Sequence, residues 1–294
     1  EVNNNTAPVP DTTAPAEPNL GLAASSDTGK SAADKLTKDT TPTVRVDLNG
    51  EGDTAPEAGD SVTIRENDVE VGSAILTENN IANRSVEITT YDLGDDGTKT
   101  LTATVTDSSG NESSAASLEI TLDTSAVATP SLDLAAGSDT GADDADNITT
   151  DATPTISVVL NGTGDAAPEV GDRVTIRESG IDVGSAVLTA EDIGNGVVDI
   201  TTTDLGFDGD KTLLATVTDS AGNESTSATL DITLDTTKTA APGLDLIAGS
   251  DTGADDTDNL TAAATPTVAV TLNGTGDVAP AVGDAATIRE TCTA

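Results

Sequence analysis

Apolar residues alternate with polar ones in short runs along most of the chain. Val44, Val46 and Leu48 form one such run, and Ile156, Val158 and Leu160 another. Leu101, Ala103 and Val105 are matched by Leu213, Ala215 and Val217. Leu118, Ile120 and Leu122 are matched by Leu230, Ile232 and Leu234. A period of two with Val and Thr enrichment is the pattern of a half-buried β-strand. "TDSSGN" at 106–111 and "TDSAGN" at 218–223 separate two such runs, and their Asp, Ser, Gly and Asn predict tight antiparallel hairpins. About seven short strands per ~110 residues, with no helical stripe, predict an all-β chain of antiparallel sandwiches.

The pattern is periodic at a larger scale. "SDTG" places its Asp at 27, 139 and 251, "TPT" its Pro at 42, 154 and 266, and "TIRE" its Ile at 64, 176 and 288, each 112 residues apart. Self-similarity held without insertion predicts a tandem array. The expected division is a leader over 1–15, repeats over 16–127 and 128–239, and a truncated third copy over 240–294 whose strands lack partners and fray. The chain starts with Glu1 rather than Met and shows no signal peptide, so a piece of a longer protein is expected.

Composition narrows the function. The net charge is −40, from 52 acids against 12 bases. Phosphate backbones would be repelled, which excludes nucleic acid as a partner. No apolar run approaches the ~20 residues that span a bilayer as a helix, so no membrane insertion is expected. The chain has no histidine, which removes Ser-His-Asp and Cys-His nucleophile systems and His-bearing zinc sites. A single cysteine, Cys292, leaves no intrachain disulfide. Only Tyr91 and Phe207 are aromatic, too few to line a sugar-gripping cleft, and neither recurs: their counterparts are Thr203 and Asp95. No enzymatic activity is expected.

The acids are not evenly spread. "GSDTGADDADN" carries Asp139, Asp143, Asp144 and Asp146 within eight positions, and its copy near Asp251 is nearly as dense. Copy one is weaker: Ser31, Ala32 and Lys35 replace Asp143, Asp144 and Asn147. The first loop of such a sandwich lies near the exit of its own repeat, while the "TDSAGN" hairpin faces the exit of the preceding one. The first junction is therefore expected to gather Asp27, Asp34 and Asp123 with Asp219 and Asn223, and the next Asp139, Asp144, Asp146 and Asp235. Asp251 repeats the position of Asp27 and Asp139. Two carboxylates ~4 Å apart repel by about 4 kcal/mol at an effective dielectric of ~20, and by about 1 kcal/mol in water. Either a cation compensates them or the loops are simply solvated. Calcium, which takes six to eight oxygens, fits the Asp, Asn, Thr and Gly donor set. "DLGFDGDK" at 204–211 and "DLGDDGTK" at 92–99 fail as helix-loop-helix calcium loops, because the terminal Glu is missing, and read as turns.

"SDTG…DNIT…TPT", "TATVTDSSGNES" and "ITLDT…P" together resemble the tandem bacterial immunoglobulin-like repeats of giant secreted adhesins, including biofilm and RTX-type adhesins. The resemblance implies type I secretion, a rod of repeats at the bacterial cell surface, and calcium at the junctions between neighbouring repeats. A structural extender of an adhesin, supporting cell adhesion or biofilm formation, is the expected role. The alternative is a glycan- or protein-binding module of the same fold.

Overall fold

The computed structural model describes residues 10–31, 33–141, 143, 145–255, 257–275 and 279–290, with the side chain of Asp165 excepted. Asp144, Cys292 and most of the leader fall outside the described residues.

Among its described residues repeat one has eight strands: β1 (Asn19–Leu22), β2 (Leu36–Thr37), β3 (Thr43–Asp47), β4 (Ser61–Glu66), β5 (Val69–Ile75), β6 (Ser85–Thr89), β7 (Gly97–Thr106) and β8 (Ala116–Leu122). Repeat two copies them as β9 (Ser131–Leu134), β10 (Ile148–Thr149), β11 (Thr155–Val159), β12 (Arg173–Glu178), β13 (Ile181–Val187), β14 (Val197–Thr201), β15 (Gly209–Thr218) and β16 (Ala228–Leu234). Each repeat is a sandwich of a three-stranded and a five-stranded sheet, ordered β1-β3-β6 and β2-β8-β7-β4-β5 in repeat one. Burial along β8 alternates strictly, with Ala116, Leu118, Ile120 and Leu122 inward. Pairing is antiparallel except at one edge, where β2 runs parallel to β8 and β10 to β16. The antiparallel sandwich expected from the alternation is what the chain forms, with this parallel edge added: a two-residue strand carries too little pattern to declare its direction.

Each repeat also carries one short α-helix among its described residues. Six-residue helices α1 (Glu78–Asn83) and α2 (Ala190–Asn195) join β5 to β6 and β13 to β14. They form through capping rather than an apolar stripe. Thr77 and Asn80, and Thr189 and Asp192, exchange side-chain and backbone hydrogen bonds as capping boxes. The helices stop at left-handed residues, Arg84 and Gly196.

The two repeats have separate cores. Val44, Ile64, Leu101 and Ile120 are central to the first, and Ile156, Ile176, Leu213 and Ile232 to the second. The third copy has only the strand pair β17 (Gly243–Leu246) and β18 (Val268–Thr271) among its described residues. Its "TIRE" is irregular, and Ile288 is 56% exposed where Ile64 and Ile176 are fully buried. In the complete repeats that strand is held by two neighbours, β5 and β7.

Because the cores are separate, Leu213→Ala is expected to destabilise repeat two by about 2–5 kcal/mol and leave the transition of repeat one in place. Scanning calorimetry of the chain checks this, and an equal downward shift of both transitions contradicts it.

Candidate functional site

The chemistry of each repeat collects at its two poles. At the exit pole, the β1–β2 loop is drawn beside the last strand: Thr121 N–H donates to Lys35 O (3.0 Å) and Asp123 N–H to Thr37 O (2.9 Å). Repeat two does the same through Asn147 O and Thr149 O. The turn before β7 braces this exit. Asp96 accepts from the Thr124 amide (2.9 Å) and hydroxyl (2.8 Å) and from the Ser125 hydroxyl (2.8 Å), and Asp208 holds Thr236 and Thr237 in the same way. Burial acts to raise the Asp96 carboxyl, and these hydrogen bonds outweigh it, leaving it below the usual carboxylate range.

At the entry pole stands the β15–β16 hairpin. Asn223 donates its backbone N–H and its side-chain amide to the two oxygens of Asp219, at 2.8 and 2.9 Å. Behind it, Glu224 accepts from Thr216 (2.6 Å) and Arg177 (3.0 Å). Asn223 also reaches across the junction to Asp123 O (2.9 Å). Asn223 therefore meets repeat one as a hydrogen-bond donor, a role its sequence position did not disclose.

The poles meet closely. Thr28 Oγ1 donates to Ala221 O (2.9 Å) and Lys30 N–H to Ser220 O (3.0 Å). A Cβ on Gly29 would lie 2.6 Å from Ser220 O, and one on Gly222 2.8 Å from Thr28 O. Both glycines thus permit backbone contact that no other residue allows without movement.

Between the poles lies a cleft of about 380 Å³ lined by Asp96, Asp123, Glu169, Asp172 and Asp219. A second cleft of about 270 Å³ at the entry to repeat one is lined by Asp11, Asp53, Glu57, Asp60 and Asp107. Asp11, Glu57, Asp60 and Asp107 are the register counterparts of Asp123, Glu169, Asp172 and Asp219. Asp172 is 3% exposed, and one of its oxygens accepts from Glu169 N–H (2.7 Å). Burial first, then the nearby charges of Asp219, Glu169 and Asp123, push its carboxyl above the usual range.

The expected ligand residues divide into groups. Asp123 and Asp219 share the cleft. Asp27 does not line it; it is buried in its own loop, as are Asp139 and Asp251. Asp34 and Asp146 turn back on that loop, accepting from Leu36 N–H (3.1 Å) and Ile148 N–H (3.0 Å). Asp235 lies with Asp208 in a cleft of its own, without Asp139 or Asp146. Sequence reasoning missed Glu169, Asp172, Asp96 and their counterparts. The signal was present: "GDTAPEAGD" and "GDAAPEVGD" recur in register. Among the described residues, no three acidic side chains converge tightly enough to form a finished metal site. The donors are nevertheless all oxygens, and one carboxylate is nine-tenths buried among like charges, which fits a hard divalent cation.

A carboxyl whose folded pKa is raised binds more protons in the folded state, so its contribution to stability is present at low pH and lost as pH rises. In chelator, between about pH 4 and pH 7, Asp172→Asn is expected to gain stability over the parent progressively with pH, read from urea midpoints. A difference independent of pH contradicts this.

A family model described as "Bacterial Ig-like domain" matches residues 13–124 and again 126–236. No curated protein matches the chain. Among solved structures, the fibronectin(III)-like modules of Clostridium thermocellum CbhA align at 13% identity and a TM-score of 0.39, over 67% of this chain and 86% of theirs. A biofilm-associated protein (BSP domain) aligns at 17% identity and 0.23, over 67% of this chain and 27% of its own. A tetra-tandem repeat from the extending region of a large adhesion protein aligns at 20% identity and 0.26, over 79% and 52%. At these identities likeness speaks of fold alone, and none of the TM-scores carries a role across. The paired matches, each covering one sandwich with its entry and exit poles, place the chain in the bacterial Ig-like domain family.

Proposed function

We propose that the chain is an extender segment of a bacterial surface adhesin, with calcium bound at its junctions to hold successive repeats in line. The observation that carries this reading is the acidic cleft that recurs in register at the entry to repeat one and between repeats one and two. Each is built from the exit of the preceding segment, the loop before β4 or β12, and the hairpin after β7 or β15. An ion there would be shared by Asp123 of one repeat and Glu169, Asp172 and Asp219 of the next. Shared ligands tie the orientation of one repeat to its neighbour, which suits a rod that sets distance between a cell and its target. Such a segment works outside the cell and needs no catalytic residue. Roles in biofilm formation and export by a type I route belong to this reading as well.

The second reading, a glycan- or protein-binding module, has one observation in its favour. Phe207 is 93% exposed on the turn before β15, where repeat one carries Asp95. A single ring offers stacking without a cleft around it.

Calcium at 100 times its dissociation constant adds about 2.7 kcal/mol per independent site. For a domain of this size that is a rise on the order of 10 °C in melting temperature. The expected result is such a rise in calcium, absent in sodium at matched ionic strength and reduced for repeat two by Asp172→Asn. Melting curves that coincide in calcium and chelator refute the calcium reading. X-ray scattering profiles that coincide remove the stiffening role.

A further inference from the structure

A cleft of about 460 Å³ at the junction of repeats one and two shares Asp219 with the acidic cleft but is lined differently. Lys30, Arg173 and Arg177 line it, against two acids, Asp182 and Asp219. The chain as a whole has 52 acids and 12 bases, so a lining in which bases outnumber acids reverses its composition.

The floor is the outer face of repeat two's five-stranded sheet. Alternation along β12 sends Val174 and Ile176 into the core and Arg173, Thr175 and Arg177 outward. Strand pairing sets Thr218 and Val187 on either side of Arg173. Repeat one contributes Thr28, Gly29 and Lys30, and the β15–β16 hairpin contributes Asp219 and Gly222. Neither repeat forms the cleft alone.

The three cations are compensated unequally. Arg177 is neutralised inside its repeat: Nε donates to Asp182 (2.8 Å) and Nη1 to Glu224 (3.0 Å). Arg173 and Lys30 are exposed and form no ion pair among the described residues. Arg173 Nη2 donates to Ser185 Oγ (2.7 Å), and Lys30 Nζ to Gly171 O (3.4 Å), two residues before Arg173. These bonds hold both groups at the cleft and leave both charges unpaired. The pair belongs to this junction: Ser61 and Ala285 stand at the place of Arg173, and Ala142 and Ala254 at that of Lys30.

We infer that this cleft binds one carboxylate-bearing sugar unit, a uronic acid, with Arg173 and Lys30 sharing the carboxylate. A guanidinium meets a carboxylate through two parallel N–H bonds, and the neighbouring ammonium adds a second charge. A polyanion is repelled by a chain of net charge −40, whereas a ligand with one charge answers to the cations within the ~8 Å over which salt screens. Val187 is the one apolar side chain in the lining, so a fatty or aromatic acid finds little to pack against. Thr175, Thr218 and Asp182 offer partners for ring hydroxyls instead. The volume falls within the range of small-ligand sites, about 300–1,000 Å³. The inference rests on the second reading above, a glycan-binding module, and moves its site from Phe207 to the junction; the calcium reading does not depend on it.

Amide NMR of the full chain in chelator, titrated separately with glucuronate, glucose and acetate, tests this. Glucuronate is expected to give saturable shifts at Lys30, Arg173 and Ser185, and glucose and acetate to bind about ten-fold more weakly or less. Arg173→Ser and Lys30→Ala, changes to residues that other copies carry at those places, are each expected to weaken glucuronate about ten-fold while both melting transitions stay where the parent has them. Saturable shifts around Phe207 in place of the cleft refute the site and leave the glycan-binding reading standing. No saturable shift anywhere, or parent-like affinity in both variants, refutes the site outright. Glucose or acetate binding as tightly as glucuronate refutes the acidic-sugar assignment.

Discussion

Carboxylates that share a cleft cannot all ionise cheaply without something positive among them. In this chain that constraint falls on the poles of the repeats. Asp123 leaves one repeat at the place where Glu169, Asp172 and Asp219 open the next, and Asp172 is buried there. A domain with only about 5–15 kcal/mol of net stability tolerates such crowding only if it is compensated. Hydrogen-bond donors do part of this work. Asn223 takes both oxygens of Asp219, and Thr124 and Ser125 hold Asp96. Ser125 N–H donates to Asp123, and Glu169 N–H to Asp172.

The sandwich makes this arrangement possible because it keeps chemistry out of its middle. Alternation along β8 and β16 sends every second side chain into a core of Val, Ile, Leu and Ala, and neither aromatic side chain is buried. Polar groups are left to the loops, and the short parallel strands β2 and β10 place the first loop beside the exit. The hairpin lies at the other pole, so stacking one repeat on another brings unlike loops together. The glycines at 29 and 222 let the two backbones touch at the junction between repeats one and two.

Much of this was legible in the residues. The strands that carry the core announce themselves by alternation, and "TDSAGN" gives its hairpin through turn chemistry. The pairing of exit and hairpin across a junction follows from those. Three things were not legible, for different reasons. The direction of β2 depends on two residues and is set by tertiary pairing. Helix α1 is specified by Thr77 and Asn80 rather than by any stripe, so a search for periodicity passes over it. Asp60 and Asp172 recur in register, but the hairpin and exit acids that share their cleft lie far along the chain, and the burial that sets them apart is visible only in the fold.

The most direct measurement is a calcium titration followed by carboxylate and backbone NMR shifts. The account predicts saturable shifts that begin together at Asp123, Glu169, Asp172 and Asp219, and at their counterparts Asp11, Glu57, Asp60 and Asp107, while solvated acids such as Glu78 and Glu191 stay still. Shifts that spread over all exposed acids, rise without saturation and appear equally with sodium would contradict it.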